Sequence, residues 1–131
     1  MANITHSFAQ YMQTQGYGTL GTSLFIGVVP QDAPDACFWV ISSGGTNQSR
    51  NNTGERVKNY LISVFYRSMD SEDVYDKLQS FEELINGKQC VTLTTYDTIQ
   101  AQAIVYPTDQ DIDSEERTIG LVQVSLTIYS N

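Results

Sequence analysis

The C-terminal end of the chain alternates strictly between apolar and polar residues. The apolar positions are Val122, Val124, Leu126 and Ile128. The polar positions are Gln123, Ser125, Thr127 and Tyr129. Because successive side chains of a strand point to opposite faces of a sheet, residues 118–129 are predicted to form an antiparallel strand with one covered face. Whatever else the chain forms must therefore cover one face of a sheet.

The remaining elements are predicted from composition and spacing. Residues 3–15 have apolar positions at helical spacing, and a second helix is predicted from Asp70 or Ser71 to a C-terminal signal at Asn86-Gly87. Apolar or β-branched runs predict strands at 24–29, 36–41, 60–66, 90–95 and 100–106. The order predicts an α+β fold: a single mixed, mainly antiparallel sheet of five to six strands with two helices packed on one face.

Size and charge restrict the class of protein. The 131 residues fit one domain, residues 1–131, and the formal net charge is -8. An acidic surface repels nucleic-acid phosphates, so a protein that reads DNA grooves is not expected. The N-terminus lacks a basic region followed by an apolar run, and no apolar run approaches the ~18 residues of a membrane span. We therefore expect a soluble protein, intracellular at synthesis, whose Cys37 and Cys90 are free thiols.

No motif predicts catalysis, a cofactor or a metal. Gly16, Gly18 and Gly21 match the spacing of a dinucleotide-binding loop, but they follow a helix and precede a strand, which is the reverse of the required order. The segment from Asp109 begins like a calcium loop but lacks the required Gly and Glu, so weak binding of a divalent ion stays only as an alternative to a solvated loop. His6 is the only histidine, so a metal site with several histidine ligands cannot form within the chain, and a histidine-dependent catalytic triad would have to use His6.

Charged residues gather in two segments of opposite sign. A flexible loop is predicted at 42–57 and an acidic loop at 107–117. The basic residues in or beside the first are Arg50, Arg56 and Lys58. The acidic residues in the second are Asp109, Asp111, Asp113, Glu115 and Glu116. They are either solvated loops or, if subunits meet head to tail, protein-interface residues that set the register of a ring.

The order of elements resembles a known family. Leu24-Phe-Ile-Gly27 with Pro30, the following strand with Gly44-Gly45, the strand ending Tyr66-Arg67 and the helix beginning at Asp70 all fall in the order found there. In these features the chain is similar to the tail terminator proteins of long-tailed bacteriophages, also called minor capsid or tail completion proteins. The resemblance spans most of the chain and supplies no catalytic residues.

The resemblance implies a structural role in the virion. Members of the family form a ring, usually of six copies, that caps the tail tube at its final length and presents the surface to which the head joins. The implied partners are other copies of the chain, the tail tube protein and a head-completion or connector protein. DNA would pass through without sequence-specific binding, and no membrane is involved. The implied place is the head-proximal end of the tail, with assembly in the host cytoplasm.

Two other functions fit the same residues. One is another head-tail connector or neck protein, which shares the ring but has different neighbours. The other is a non-viral acidic binding module that recognises a partner through a sheet edge. A connector or neck protein would differ from a terminator in the virion proteins that it contacts. A binding module would be a monomer or a dimer and would not form a ring.

Overall fold

The computed structural model describes residues 4–50, 56–88, 97–112 and 117–130. The described residues form two helices and five strands. Their bounds are α1 Ile4–Thr14, β1 Leu24–Ile26, β2 Cys37–Arg50, β3 Arg56–Ser68, α2 Ser71–Lys88, β4 Asp97–Ile112 and β5 Thr118–Ser130. Within these residues, neither helix is long and apolar enough to cross a membrane.

The strands form one mixed sheet in the order β1-β2-β3-β5-β4. The short strand β1 runs parallel to β2, and every other neighbouring pair is antiparallel. The predicted α+β class with a single mixed sheet and two helices is confirmed. The prediction of five to six strands is met only in part. Four of the described strands are long, and the fifth, β1, has just three residues. The strand predicted at 90–95 lies outside the described residues.

Both helices pack on the same face of the sheet. Val40, Val64 and Val122 are paired across β2, β3 and β5, and all three are completely buried in the one core cluster that also contains residues of both helices. Phe8 of α1 meets Phe81 of α2 edge-on, with ring centroids 6.0 Å apart. Val74, Leu78, Phe81 and Ile85 recur at helical spacing along α2, and all four are buried.

The opposite face of the sheet is only partly covered. Trp39 and Phe65 face each other across β2 and β3 and stack with ring centroids 5.2 Å apart. Both are half-buried, and Ile41, next on the same face of β2, is exposed. The nearly all-apolar run 36–41 is typical of a strand that is covered on both faces, and the structure shows that this expectation is wrong.

Three predicted boundaries are also wrong. Residues 42–50 and 56–57, expected within a flexible loop, belong to strands β2 and β3, and residues 107–112, expected within the acidic loop, belong to β4. Polar residues form these strands because backbone pairing with a neighbour requires no apolar side chain. Helix α2 continues through Asn86-Gly87 to Lys88. Asp70 does cap it, since its Oδ1 accepts a hydrogen bond from the Glu72 backbone N–H at 3.0 Å.

Candidate functional site

The predicted basic residues lie together at one end of the sheet. Arg50 of β2 is the backbone partner of Arg56 of β3, and Lys58 is the partner of Asn47. Arg56 is also paired with Ser130 at the end of β5. We call this the hairpin end of the sheet. The three positions are thus brought together by strand pairing, although their spacing along the chain alone does not require it.

The predicted acidic residues lie at the other end. Asp109 is the backbone partner of Gly120, and Asp111 is the partner of Ile119, at the start of β5. Ile119 is in turn paired with Arg67 near the end of β3. We call this the acidic end of the sheet. The remaining candidates, Asp113, Glu115 and Glu116, lie outside the described residues.

Strand β3 separates the two ends. It runs for 13 residues from Arg56 at the hairpin end to Ser68 at the acidic end. At about 3.3 Å per residue, these positions are roughly 40 Å apart. The basic and acidic segments of one chain therefore do not neutralise each other, and each can face a different neighbour.

A buried arginine at the acidic end is a feature that the sequence analysis missed. Arg67 is only 9% exposed, and its Nη2 donates a hydrogen bond to the Pro34 carbonyl oxygen at 3.1 Å. Its Nε is buried without a hydrogen-bond partner in the structure. Nearby, the Nη1 of Arg117 lies 3.3 Å from Oδ1 of Asp35. The only sequence signal was an arginine at the end of a predicted strand.

Burial at this end of the sheet shifts two pKa values. Burial raises the pKa of the Cys37 thiol above its ordinary value of 9.0, although the neighbouring guanidinium groups of Arg67 and Arg117 oppose the shift. Burial also raises the pKa of Tyr66, which donates a hydrogen bond of 2.7 Å to Oδ2 of Asp73. Cys37 is free, as predicted, and a buried thiol with a raised pKa is a poor nucleophile.

These shifts predict that alkaline pH destabilises the fold. A thiol whose pKa is higher in the folded state binds its proton more tightly there, so stability is complete below the unfolded pKa and falls as pH rises above it. We expect the melting temperature to fall from about pH 9 upward. In a Cys37→Ala variant the fall between about pH 9 and 10 should be shallower, because the raised pKa values that remain among the described residues are those of Tyr66 and Tyr11, which ionise at higher pH. Thermal melts followed by circular dichroism would measure both curves, and identical slopes would contradict this assignment.

A cavity of about 270 Å³ lies between α2 and the connection from α1 to β1. Its walls include Tyr17, Phe38, Lys77 and Ser80, and the Tyr17 hydroxyl lies 2.9 Å from the Ser80 hydroxyl. None of the described residues that line it is a His, Asp or Glu, so these residues supply no general acid-base pair of those types. Elsewhere among the described residues, no group of three or more His, Cys, Asp or Glu side chains could hold a metal ion.

Comparison with known proteins identifies the family. The sequence model of the family described as "Bacteriophage tail terminator protein" matches residues 11–130. The chain belongs to the bacteriophage tail terminator family. The matched range runs from α1 to the end of β5, so it contains both ends of the sheet. This tail terminator protein is accordingly a structural protein of the bacteriophage virion.

The fold also matches a solved structure. A chain from "Virion of native gene transfer agent (GTA) particle" superposes with a TM-score of 0.56 at 16% sequence identity, and the match covers 93% of each chain. At that identity the match shows a shared fold. No curated protein matches the chain in sequence.

Proposed function

We propose that this chain is the subunit of a ring, of six copies, that caps the tail tube and provides the surface for head joining. The observation that carries the proposal is the tail terminator family match over residues 11–130. The likeness to a chain of a gene transfer agent virion supports it, because that chain has the same fold across nearly its whole length.

The separated charges give the ring two chemically different sides. A ring of subunits oriented alike carries the positions of Arg50, Arg56 and Lys58 on one side. It carries Asp109 and Asp111 on the other, and the sequence adds Asp113, Glu115 and Glu116 next to them. We propose that the hairpin end contacts the tail tube protein and that the acidic end contacts the head-completion or connector protein. Charge complementarity would then favour one orientation of the ring on the tube.

The ring is a passage and not an enzyme in this proposal. With a net charge of -8 per subunit, its surface repels DNA phosphates, so DNA passes without sequence-specific binding. The protein acts at the head-proximal end of the tail, after assembly in the host cytoplasm, and needs no cofactor or membrane.

Charge reversal at the hairpin end tests the proposal. We expect an Arg50→Glu/Arg56→Glu variant to lose tube capping by roughly tenfold or more, because its contacts with the partner become repulsive. The matched control is Lys77→Glu/Lys88→Glu, which changes the net charge equally but alters helix α2. The fraction of capped tail tubes is counted by negative-stain electron microscopy over a range of protein concentrations. Equal capping by the two variants would contradict the role assigned to the hairpin end.

A further inference from the structure

Among the described strands, only the short strand β1 lies beside the outer edge of β2. Strand β1 is paired with β2 only at Phe38, Trp39 and Val40. Beyond Ile26 the chain turns away at Gly27, which has a φ of +82°. Among the described residues, no strand pairs with residues 41–50 of β2 on that side. The backbone N–H and C=O groups that point outward there form a template for another strand.

The other edge of the sheet is β4. It is paired with β5 on one side, and no described strand lies on its other side. The strand directions alternate from β2 to β3, β5 and β4, so β4 runs opposite to β2. If a second copy continued the sheet in the same orientation, its β4 would therefore lie antiparallel to β2, which is the more stable form of pairing.

The two edges also correspond in register. Following the backbone pairs across the sheet, Ile41 lies in the row of Ser63, Gln123 and Val105. The same procedure places Gly45 in the row of Ala101, and Ser49 in the row of Asp97. The open part of β2 thus spans the same rows as residues 97–105 of β4.

The correspondence ends at the same row on both edges. Val40, the last residue of β2 that β1 covers, lies in the row of Val64 and Val122. On β4, this row falls where the register shifts between Val105 and Thr108. The shifted segment contains Pro107, which has no N–H group to donate. The segment of β4 that contains Pro107 therefore lies in the rows of β2 that β1 already covers.

We propose that residues 41–49 of β2 pair in register with residues 97–105 of β4 from a second copy of this chain. The inference rests on the proposed function and specifies how the ring closes, because a head-to-tail contact between unlike edges repeats from subunit to subunit. Side-chain chemistry agrees with it. The exposed side chain of Ile41 would lie in the same row as Val105 of the neighbour, so two apolar residues would meet across the contact.

Disulfide trapping tests the pairing. Ile41→Cys/Val105→Cys is made in a Cys37→Ala/Cys90→Ala background and oxidised after assembly. Within one chain the two positions are three strand spacings apart, about 14 Å, which is beyond the reach of a disulfide. Only contacts between copies can cross-link them. We expect a ladder of covalent oligomers on a non-reducing gel. The control, Ile41→Cys/Asp111→Cys, lies about four residues out of register and should stay monomeric.

The outcomes separate this inference from the proposed function. Rings in native mass spectrometry without a ladder from the 41/105 pair, or with an equal ladder from the control, would overturn the pairing and leave the ring in place. A chain that stays monomeric even with purified tail tubes would overturn both. Hydrogen exchange of the unmodified protein gives a second test, which does not require that the cysteine variants fold. The amides of residues 41–49 should exchange at least tenfold more slowly in the ring, and unchanged rates would count against the pairing.

Discussion

Replacing Phe81 with alanine is expected to lower the free energy of unfolding by about 3–5 kcal/mol. The Phe81 side chain is completely buried on α2, where it joins the two helices to each other and to the loop that follows α1. Its ring lies edge-on to Phe8 of α1, and at 81° to Tyr17, with a centroid distance of 5.2 Å. Alanine would remove these contacts and leave a cavity that the surrounding sheet is too rigid to close.

Urea denaturation of Phe81→Ala and of a matched control would measure the effect. The control is Tyr75→Ala, which truncates an aromatic side chain on the same helix that is 52% exposed. We expect the control to change stability by less than about 1 kcal/mol. If the two variants lost equal stability, Phe81 would not hold the helices together in the way described here.

The Gly18→Ala substitution is expected to lower the free energy of unfolding by about 2–4 kcal/mol. Gly18 has a φ of +116°, a conformation that residues with a Cβ rarely adopt. An added Cβ would also lie 3.1 Å from both the Cβ of buried Leu24 and the backbone oxygen of Ser23. Neither contact is with the far end of a flexible side chain, so the turn into β1 would have to shift.

Gly21→Ala separates the two causes. Gly21 also has a positive φ, +86°, but a Cβ there would meet nothing within 4 Å. We expect this control to lose about 1–2 kcal/mol from backbone strain alone. Thermal melts of the two variants would show whether Gly18 is the more sensitive position. A larger loss at Gly21 would mean that close packing at Gly18 has no part in the effect.

The backbone conformation of three glycines explains why they resemble a nucleotide-binding motif. Gly16, Gly18 and Gly21 have the spacing of a dinucleotide-binding loop, but all three have positive φ in the connection from α1 to β1. That connection turns the chain from helix to strand, as the order of elements predicted. The glycines are thus needed for backbone conformation.

The elements that could be predicted are those whose side chains carry a periodic pattern. Residues Val122, Val124, Leu126 and Ile128 are buried at every second position of β5, as the alternation predicted. The buried stripe of α2 was equally clear from its spacing. In both cases apolar side chains recur with the period of the element and mark its buried face, so the pattern identifies the element.

The elements that could not be predicted are formed by backbone pairing. Residues 42–50 are mostly small or polar, and nothing in their composition favours a strand. They form one because β3 pairs with them along their length, with register shifts near Gly44 and Asn47. The same holds for residues 107–112 of β4 beside β5. Composition alone could not show this, because the pairing is made by backbone groups and not by these side chains.

The sequence predicts the charges of the candidate site residues but not their positions in the fold. The sequence shows which residues are basic and which are acidic, but their placement at opposite ends depends on strand pairing across the sheet. Arg50 and Asp111 could equally have been close neighbours without the register of β3 and β5. The buried Arg67 was missed because its burial arises from packing against the Pro34 carbonyl, which is far away in sequence.

The most direct test of the central claim is to mix the purified protein with uncapped tail tubes and examine both components. Native mass spectrometry over a range of protein concentrations would give the subunit number, and negative-stain images would show the tube ends. We expect a closed ring of six subunits and added density at one end of each tube, with no further growth from that end. A protein that remains monomeric and leaves both tube ends unchanged would contradict it.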